Sequence, residues 1–131
     1  MEEFDIAIIG GGPAGIMAAI AASADLNIVL LEKNSSLGSK LLITGGGRCN
    51  ITNEKPIKKL LNSFHDKNFL KHSFYTFTNE MLLDLFRNRG LDFIVEDNNR
   101  VFPETEKSQD ILAILKYYLK DITCLLYTSD A

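Results

Sequence analysis

The stretch DIAIIGGGPAG, residues 5–15, decides the fold of this chain. Residues 4–9 form a short, mostly apolar run with β-branched residues and are followed by glycine, which predicts a short buried strand. The alanine-rich residues 13–24 predict a buried helix with proline in its first turn. Residues 27–31 predict a second apolar strand that ends at Glu32. Strand, tight turn, helix and strand make one βαβ unit, so we predict an α/β fold with a parallel sheet.

The turn between the first strand and the helix, GGGPAG (residues 10–15, the first glycine loop), fits the pattern G-x-G-x-x-G. In that pattern Gly10 permits the turn, Gly12 lets a pyrophosphate approach the backbone, and Gly15 lets the helix pack closely. The helix N-terminus adds free N–H groups and a partial positive charge. Glu32 lies 17 positions after Gly15, where a carboxylate accepts hydrogen bonds from an adenosine ribose. The residues predict a Rossmann-like fold that binds the ADP part of NAD or FAD and disfavours the 2′-phosphate of NADP.

A second glycine-dense stretch, residues 44–50 (TGGGRCN, the second glycine loop), needs a separate explanation. Its three consecutive glycines allow the backbone to contact a flat ring or a phosphate without side-chain collision. Their N–H groups can form an anion nest, and Arg48 adds a fixed cation. We interpret this loop as closing on the cofactor from the side opposite the first glycine loop; the alternative is a mobile surface loop.

The later segments are predicted to form helices and one hairpin. Short helices are predicted over residues 39–43, 57–63 and 67–76. A longer helix over residues 78–89 has Thr78 as its cap, an apolar face of Met81, Leu82, Leu85 and Phe86, and Gly90 in the left-handed position beyond it. Strands over 91–96 and 100–102 predict a hairpin about Asn98 and Asn99, and Ser108 is predicted to cap a helix to residue 120.

Composition limits the partners. The 131 residues predict one domain, and a net charge of −3 with no Lys/Arg block gives no support for a nucleic-acid or membrane partner. Lys55, Lys58 and Lys59 read as a solvated helix face. The acidic residues at the start have the wrong charge for a signal peptide, so we expect a cytoplasmic protein. Cys49 has no resolving partner nearby in the sequence, so a small loop cysteine is favoured over a redox thiol.

Four segments carry a resemblance to a known family: GGGPAG (10–15), LLEKN (30–34), GSKLLITGGGRCNITN (38–53) and NRVFPETEKSQDIL (99–112). Together they resemble the FAD-binding flavoproteins named for aminoacetone oxidase and for 3-dehydro-bile-acid reductase, the BaiN-like family of the glutathione-reductase-type superfamily. The resemblance covers residues 4–122 and rests mainly on T-G-G-G-R-C-N-[ILV]-T-N. It implies FAD contacts from twelve residues: Gly10, Gly12, Ala14, Gly15, Glu32, Lys33, Lys40, Thr44, Gly45, Gly46, Gly47 and Arg48.

The resemblance also implies an activity. The whole protein would be an FAD-dependent oxidoreductase that transfers hydride through the flavin, with NADH or NADPH as a donor and a small-molecule substrate. Residues 1–122 would be the N-terminal part of a discontinuous FAD-binding domain, incomplete and inactive alone. Residues 123–131 resemble translated adapter sequence and are interpreted as a non-native tail.

Alternatives to this reading stay open. The chain could instead be an NAD-binding dehydrogenase domain, which would purify colourless and would not need TGGGRCN. It could also be a non-catalytic flavin- or nucleotide-binding module, or an inactive truncation. No catalytic acid or base is assigned, and the substrate and oligomeric state stay open.

Overall fold

The structure is a computed structural model that describes residues 1–22 and 24–127. Its first part is the predicted βαβ unit: strand β1 (Ile6–Ile9), helix α1 (Pro13–Ala21) and strand β2 (Ile28–Glu32). The two strands are parallel, with Ile6 opposite Ile28 and Ile9 opposite Leu31. The Rossmann-like arrangement is confirmed, although α1 ends three residues before the predicted boundary.

One property of β1 was predicted wrongly. The strand was expected to be buried, yet its exposure alternates and the side chain of Ile9 is 79% exposed. Helix α1 covers only one face of the strand, where Ile8 packs against the core that contains Ile16 and Leu30. Because successive side chains of a strand point to opposite faces, Ala7 and Ile9 stay on the uncovered face.

The parallel sheet has a third strand. Strand β6 (Thr123–Leu126) pairs with the other edge of β2, with Leu30 opposite Cys124, which gives the order β1-β2-β6. Residues 123–126, part of the segment interpreted as a non-native tail, therefore have a structural role in this sheet. The interpretation of this segment as non-native stays a prediction, and residues 128–131 lie outside the described residues.

Between β2 and β6 lies a long segment with its own small sheet. Helix α2 (Ser39–Ile43) leads into a 3₁₀ turn (Thr44–Gly47). Three later strands, with the ranges given next, form an antiparallel sheet in which the last of them in the sequence is central. The remaining elements are β3 (Thr52–Asn53), α3 (Ile57–Leu61), α4 (Lys67–Thr76), α5 (Asn79–Arg87), β4 (Phe93–Glu96), β5 (Arg100–Pro103) and α6 (Ser108–Tyr118). The predicted hairpin is confirmed as β4 and β5, and Asn98 and Asn99 both have positive φ.

Helix ends confirm one predicted cap and correct another. The side chain of Thr78 accepts a hydrogen bond from the Met81 N–H, and Gly90 has φ +88. Ser108 does not cap α6: it is the first residue of the helix, and its Oγ donates to the carbonyl of Leu42 at 2.7 Å. Since Ser108 is fully buried, this bond ties the start of α6 to α2 inside the core.

Candidate functional site

The first glycine loop connects β1 to α1 in a tight turn. Gly10 has φ +107, and its N–H donates to the Leu31 carbonyl at 2.7 Å. A Cβ at Gly15 would lie 1.8 Å from the carbonyl oxygen of Gly10, so only glycine lets α1 start this close to the loop. A Cβ at Gly12 would meet no described atom within 4 Å, and its φ of −83° suits any residue. The fold therefore requires glycine at position 15 but not at position 12, where open space borders the loop.

Helix α1 begins within this loop, and the first turn of the described helix has no acidic residue of its own. Its N-cap, Gly12, supplies no side-chain hydrogen bond, and Pro13 occupies the first turn. Helix N-termini carry a partial positive charge, and backbone N–H groups there bind anions. Gly12 and the start of α1 thus offer an uncrowded and electropositive backbone.

Glu32 lies at the carboxyl end of β2, directly beside the first glycine loop. Its Oε2 accepts a hydrogen bond from the Asn34 N–H at 2.8 Å, and its Oε1 accepts one from the Gly11 N–H at 2.9 Å. These two bonds, that of Asn34 first, hold the pKa of Glu32 below its usual value. A carboxylate oxygen accepts more than one hydrogen bond, so both oxygens keep capacity for the hydroxyls of a ligand.

The second glycine loop is a run of left-handed backbone. Gly45, Gly46 and Gly47 have φ of +57, +67 and +87°, which side chains of L-residues rarely tolerate. A Cβ at Gly45 would also lie 2.7 Å from the backbone nitrogen of Asn50. Thr44 starts the turn and donates its hydroxyl to the Leu41 carbonyl at 2.7 Å. The three glycines are therefore explained first by the tightness of the turn itself.

Both glycine loops border one cavity of about 460 Å³. Pro13 and Ala14 line it from the first loop, and Thr44, Cys49 and Asn50 line it from the second. The rest of its wall is apolar: Met17, Leu41, Ile51, Phe77, Leu82, Phe86, Ile111 and Leu115. A mostly apolar cavity of this size with a few polar groups is typical of small-molecule sites. The two loops thus border a common space, and whether the second loop closes on a cofactor there stays a prediction.

Arg48 turns away from that cavity. Its guanidinium donates to Glu96 Oε2 at 2.7 Å and to Glu106 Oε1 at 3.1 Å, and it lies 3.9 Å from the centroid of the Phe102 ring. The bond from Arg48 lowers the pKa of Glu96. The expected fixed cation of the second loop is therefore already paired with two carboxylates. It ties this loop to the β4–β5 hairpin.

The other predicted cations do not line the cavity either. Lys40 is exposed on α2, and Lys33 lies next to Glu32, whose pKa it helps to lower. Whether either lysine contacts a cofactor stays a prediction.

Cys49 lines the cavity as an ordinary buried thiol. It is 5% exposed, and burial raises its pKa, so the thiolate is disfavoured. Cys49 and Cys124 are both free cysteines. In residues 1–22 and 24–127 no group of three metal-ligating side chains occurs, and no helix is long and apolar enough to cross a membrane.

Comparison with known proteins extends these observations. The family described as "HI0933-like protein Rossmann domain" matches residues 4–131. A 3-dehydro-bile acid delta(4,6)-reductase of Clostridium scindens is 33% identical over 126 residues, which are 94% of this chain and 30% of the reductase. A ribosomal RNA dihydrouridine synthase of Escherichia coli is 33% identical over 118 residues, 88% of this chain and 28% of the synthase.

A solved structure agrees on the fold. The crystal structure of Thermovibrio ammonificans THI4 superposes with a TM-score of 0.58 at 15% identity, over 95% of this chain and 38% of that one. These matches confirm the resemblance seen in the motifs and the Rossmann-like fold. The chain spans about 30% of the length of the curated relatives it matches.

Proposed function

The chain belongs to the family of HI0933-like proteins, and on that premise we propose that its Rossmann-like domain binds the ADP part of FAD. The observation that carries the proposal is the arrangement around Gly12. An open backbone position, an uncapped helix N-terminus and the carboxylate of Glu32 lie together at the carboxyl end of the parallel strands. Nucleotides bind at this edge of such sheets.

We assign roles within this site by chemistry. The backbone of Gly12, Ala14 and Gly15 would hold the pyrophosphate, after the turn that Gly10 makes. Glu32 would accept hydrogen bonds from the ribose hydroxyls. Thr44 and the three glycines after it would border the flavin side of the ligand, because their loop lines the adjoining cavity. Arg48 would act indirectly, by fixing this loop to Glu96 and Glu106.

For the whole protein we propose an FAD-dependent oxidoreductase. The relatives include proteins named as a reductase and as dihydrolipoyl dehydrogenase, the latter from Caenorhabditis elegans with 39% identity over 74 residues. FAD would supply the exchange of hydride, with NADH or NADPH as a donor, and the chain's residues would bind and orient it. The relatives' names mention both a bile acid and ribosomal RNA, so no substrate is carried over.

Titration calorimetry on the purified chain with ADP, FAD and 2′-phospho-ADP tests the proposal. We expect ADP and FAD to bind and 2′-phospho-ADP to bind more weakly, because its phosphate would meet the carboxylate of Glu32. Because the pKa of Glu32 is lowered, this carboxylate stays charged and ADP affinity should be flat between about pH 6 and 8.

A pair of variants sharpens this test. Glu32→Gln should weaken ADP binding about tenfold, the scale of a lost charged hydrogen bond, while Glu104→Gln at an exposed position should not. Equal affinity for ADP and 2′-phospho-ADP, or unchanged binding by Glu32→Gln, would contradict the assignment. Binding of NAD in preference to FAD would favour a dehydrogenase domain instead.

A further inference from the structure

The helical pair α3–α4 carries positive charge in an otherwise acidic chain. Residues 55–76 contain five lysines and one aspartate, whereas the whole chain has a net charge of −3. The aspartate, Asp66, is engaged as the N-cap of α4, where its side chain accepts a hydrogen bond from the Phe69 N–H at 3.0 Å. The positive charge is therefore concentrated in one part of the chain, which the net charge of the whole chain conceals.

Folding gathers three of these lysines around a groove between α3 and α4, here called the lysine groove. Its volume is about 350 Å³, and its lining residues are Lys58, Leu61, Asn62, Lys67, Asn68, Lys71 and Tyr75. An adjoining depression of about 630 Å³ shares Asn68, Lys71 and Tyr75 and adds His72 and Thr76. None of these described lining residues is acidic. The charges come from both helices, so no continuous Lys/Arg block marks the groove in the sequence.

The lysines of the groove are available for a partner. Lys58, Lys67 and Lys71 are exposed, and within the described part of the chain none of them forms an ion pair with a carboxylate. Lys67, Lys71 and Tyr75 follow each other at intervals of four residues, so they lie along one face of α4. Unpaired ammonium groups along a groove favour a ligand with several negative charges.

An aromatic ring accompanies this charge. Tyr75 lines the groove and is 52% exposed. Helix α4 contains no buried residue at all, so its side chains are not used to build the core. Lysines along a groove with exposed aromatic rings are the combination that binds single strands, through phosphates and stacked bases. Asn62 and Asn68 add donors and acceptors that suit base edges.

We propose that the lysine groove binds a single-stranded segment of nucleic acid. Lys58, Lys67 and Lys71 contact successive phosphates, and Tyr75 stacks on a base. This differs from the expectation drawn from the net charge and the lack of a Lys/Arg block. It also assigns a function to Lys58, which was interpreted as part of a solvated helix face. The inference does not rest on flavin binding, since none of the groove residues lines the cavity between the glycine loops.

Fluorescence anisotropy with a fluorescein-labelled oligouridine of about 12 nucleotides, at about 50 mM salt, measures this binding directly. With three phosphate contacts on a single strand, the slope of log K against log salt should be about −2. The variant Lys67→Gln/Lys71→Gln should bind at least about tenfold more weakly, with a slope near −0.7. The control Lys107→Gln/Lys116→Gln removes the same charge from exposed positions and should change affinity less than about twofold.

A second variant tests the stacking. Tyr75→Ala should lose about tenfold to a hundredfold in affinity with the salt slope unchanged, while Tyr127→Ala, at a ring that is 63% exposed elsewhere, should not. Oligothymidine of the same length distinguishes RNA from DNA as the ligand. Tighter binding of the oligouridine identifies RNA, and equal binding means that the groove accepts either kind of single strand.

Three results would overturn the proposal. They are no binding of the oligouridine, equal losses in the two lysine variants, and equally tight competition by polyglutamate of the same charge. The last result would point to an acidic protein partner. ADP affinity, measured on the same variants, should stay unchanged, so a failure here is distinct from a failure of the proposed function.

Discussion

Alanine at Gly12 should leave the stability of the fold almost unchanged and alanine at Gly15 should lower it, although both residues belong to the same glycine motif. At Gly12 the added Cβ meets no described atom within 4 Å, and the backbone angles of φ −83 and ψ −175 suit alanine. Alanine is a poorer N-cap than glycine, but it also reduces the entropy of the unfolded chain by about 0.4–1 kcal/mol. These effects nearly cancel, so the free energy of unfolding should change by less than about 0.5 kcal/mol.

Gly15→Ala creates a real collision. The added Cβ would lie 1.8 Å from the carbonyl oxygen and 3.0 Å from the carbonyl carbon of Gly10. These are backbone atoms in a tight turn, so the start of α1 must move. Overpacking of this kind costs about 1–3 kcal/mol. At this chain length each kcal/mol lowers Tm by roughly 4 °C, so Tm should fall by several degrees.

The affinity for ADP should also distinguish Gly12→Ala from the parent chain. Gly12→Ala places a methyl group where the pyrophosphate is proposed to approach, and a penalty of about 1–3 kcal/mol weakens ADP binding roughly tenfold to a hundredfold. Thermal unfolding by circular dichroism and ADP titration by calorimetry give both quantities on the same samples. The expected result is a Gly12→Ala protein that is as stable as the parent but binds ADP poorly.

Two results would contradict these assignments. If Gly12→Ala binds ADP as tightly as the parent chain, the open position is not where the phosphate lies. If Gly15→Ala keeps the parent Tm, the close approach between α1 and the loop is not a feature of the folded protein.

Two further predictions concern the core. Ser108→Ala leaves the Leu42 carbonyl without its donor inside the protein, so urea unfolding should show a loss of about 1–3 kcal/mol, whereas Ser63→Ala at an exposed position should cost almost nothing. Because burial raises the pKa of Cys49, iodoacetamide should modify it far more slowly at neutral pH in the folded chain than in urea, as peptide mapping can follow; rapid modification of the folded protein would restore the redox interpretation.

The features that sequence reasoning predicted well depend on neighbours in the chain. The βαβ unit follows from apolar runs around one glycine turn, and the hairpin follows from the tolerance of Asn98 and Asn99 for positive φ. The cap at Thr78 needs only a hydroxyl three residues before the N–H group that donates to it. These features depend on a few adjacent residues, so the sequence alone was enough to predict them.

The features that were missed depend on distant residues. Arg48 pairs with Glu96 and Glu106, which follow the inserted helices in the sequence. No local sequence pattern predicts these two ion pairs. Ser108 looked like a helix cap because its real partner, the Leu42 carbonyl, lies in another element.

The inward face of α5 was also misjudged. Met81 was predicted to lie on the apolar face, yet it is 46% exposed, whereas Leu83 is 2% exposed. A periodic pattern marks an apolar stripe, but the packing of α5 against the rest of the chain decides which edge of the stripe is covered.

The strand order of the parallel sheet has a consequence for how the chain folds during its synthesis. Val29 pairs with Thr123, so β2 has a neighbour on only one side until the segment that follows α6 has been synthesised. The β4–β5 hairpin and the α3–α4 pair, by contrast, close over short stretches of chain. Since distant pairings are slow to form, the nascent chain should assemble its inserted helices and hairpin first and complete the parallel sheet last. During translation the edge of β2 that later receives β6 is then the surface most exposed to aggregation.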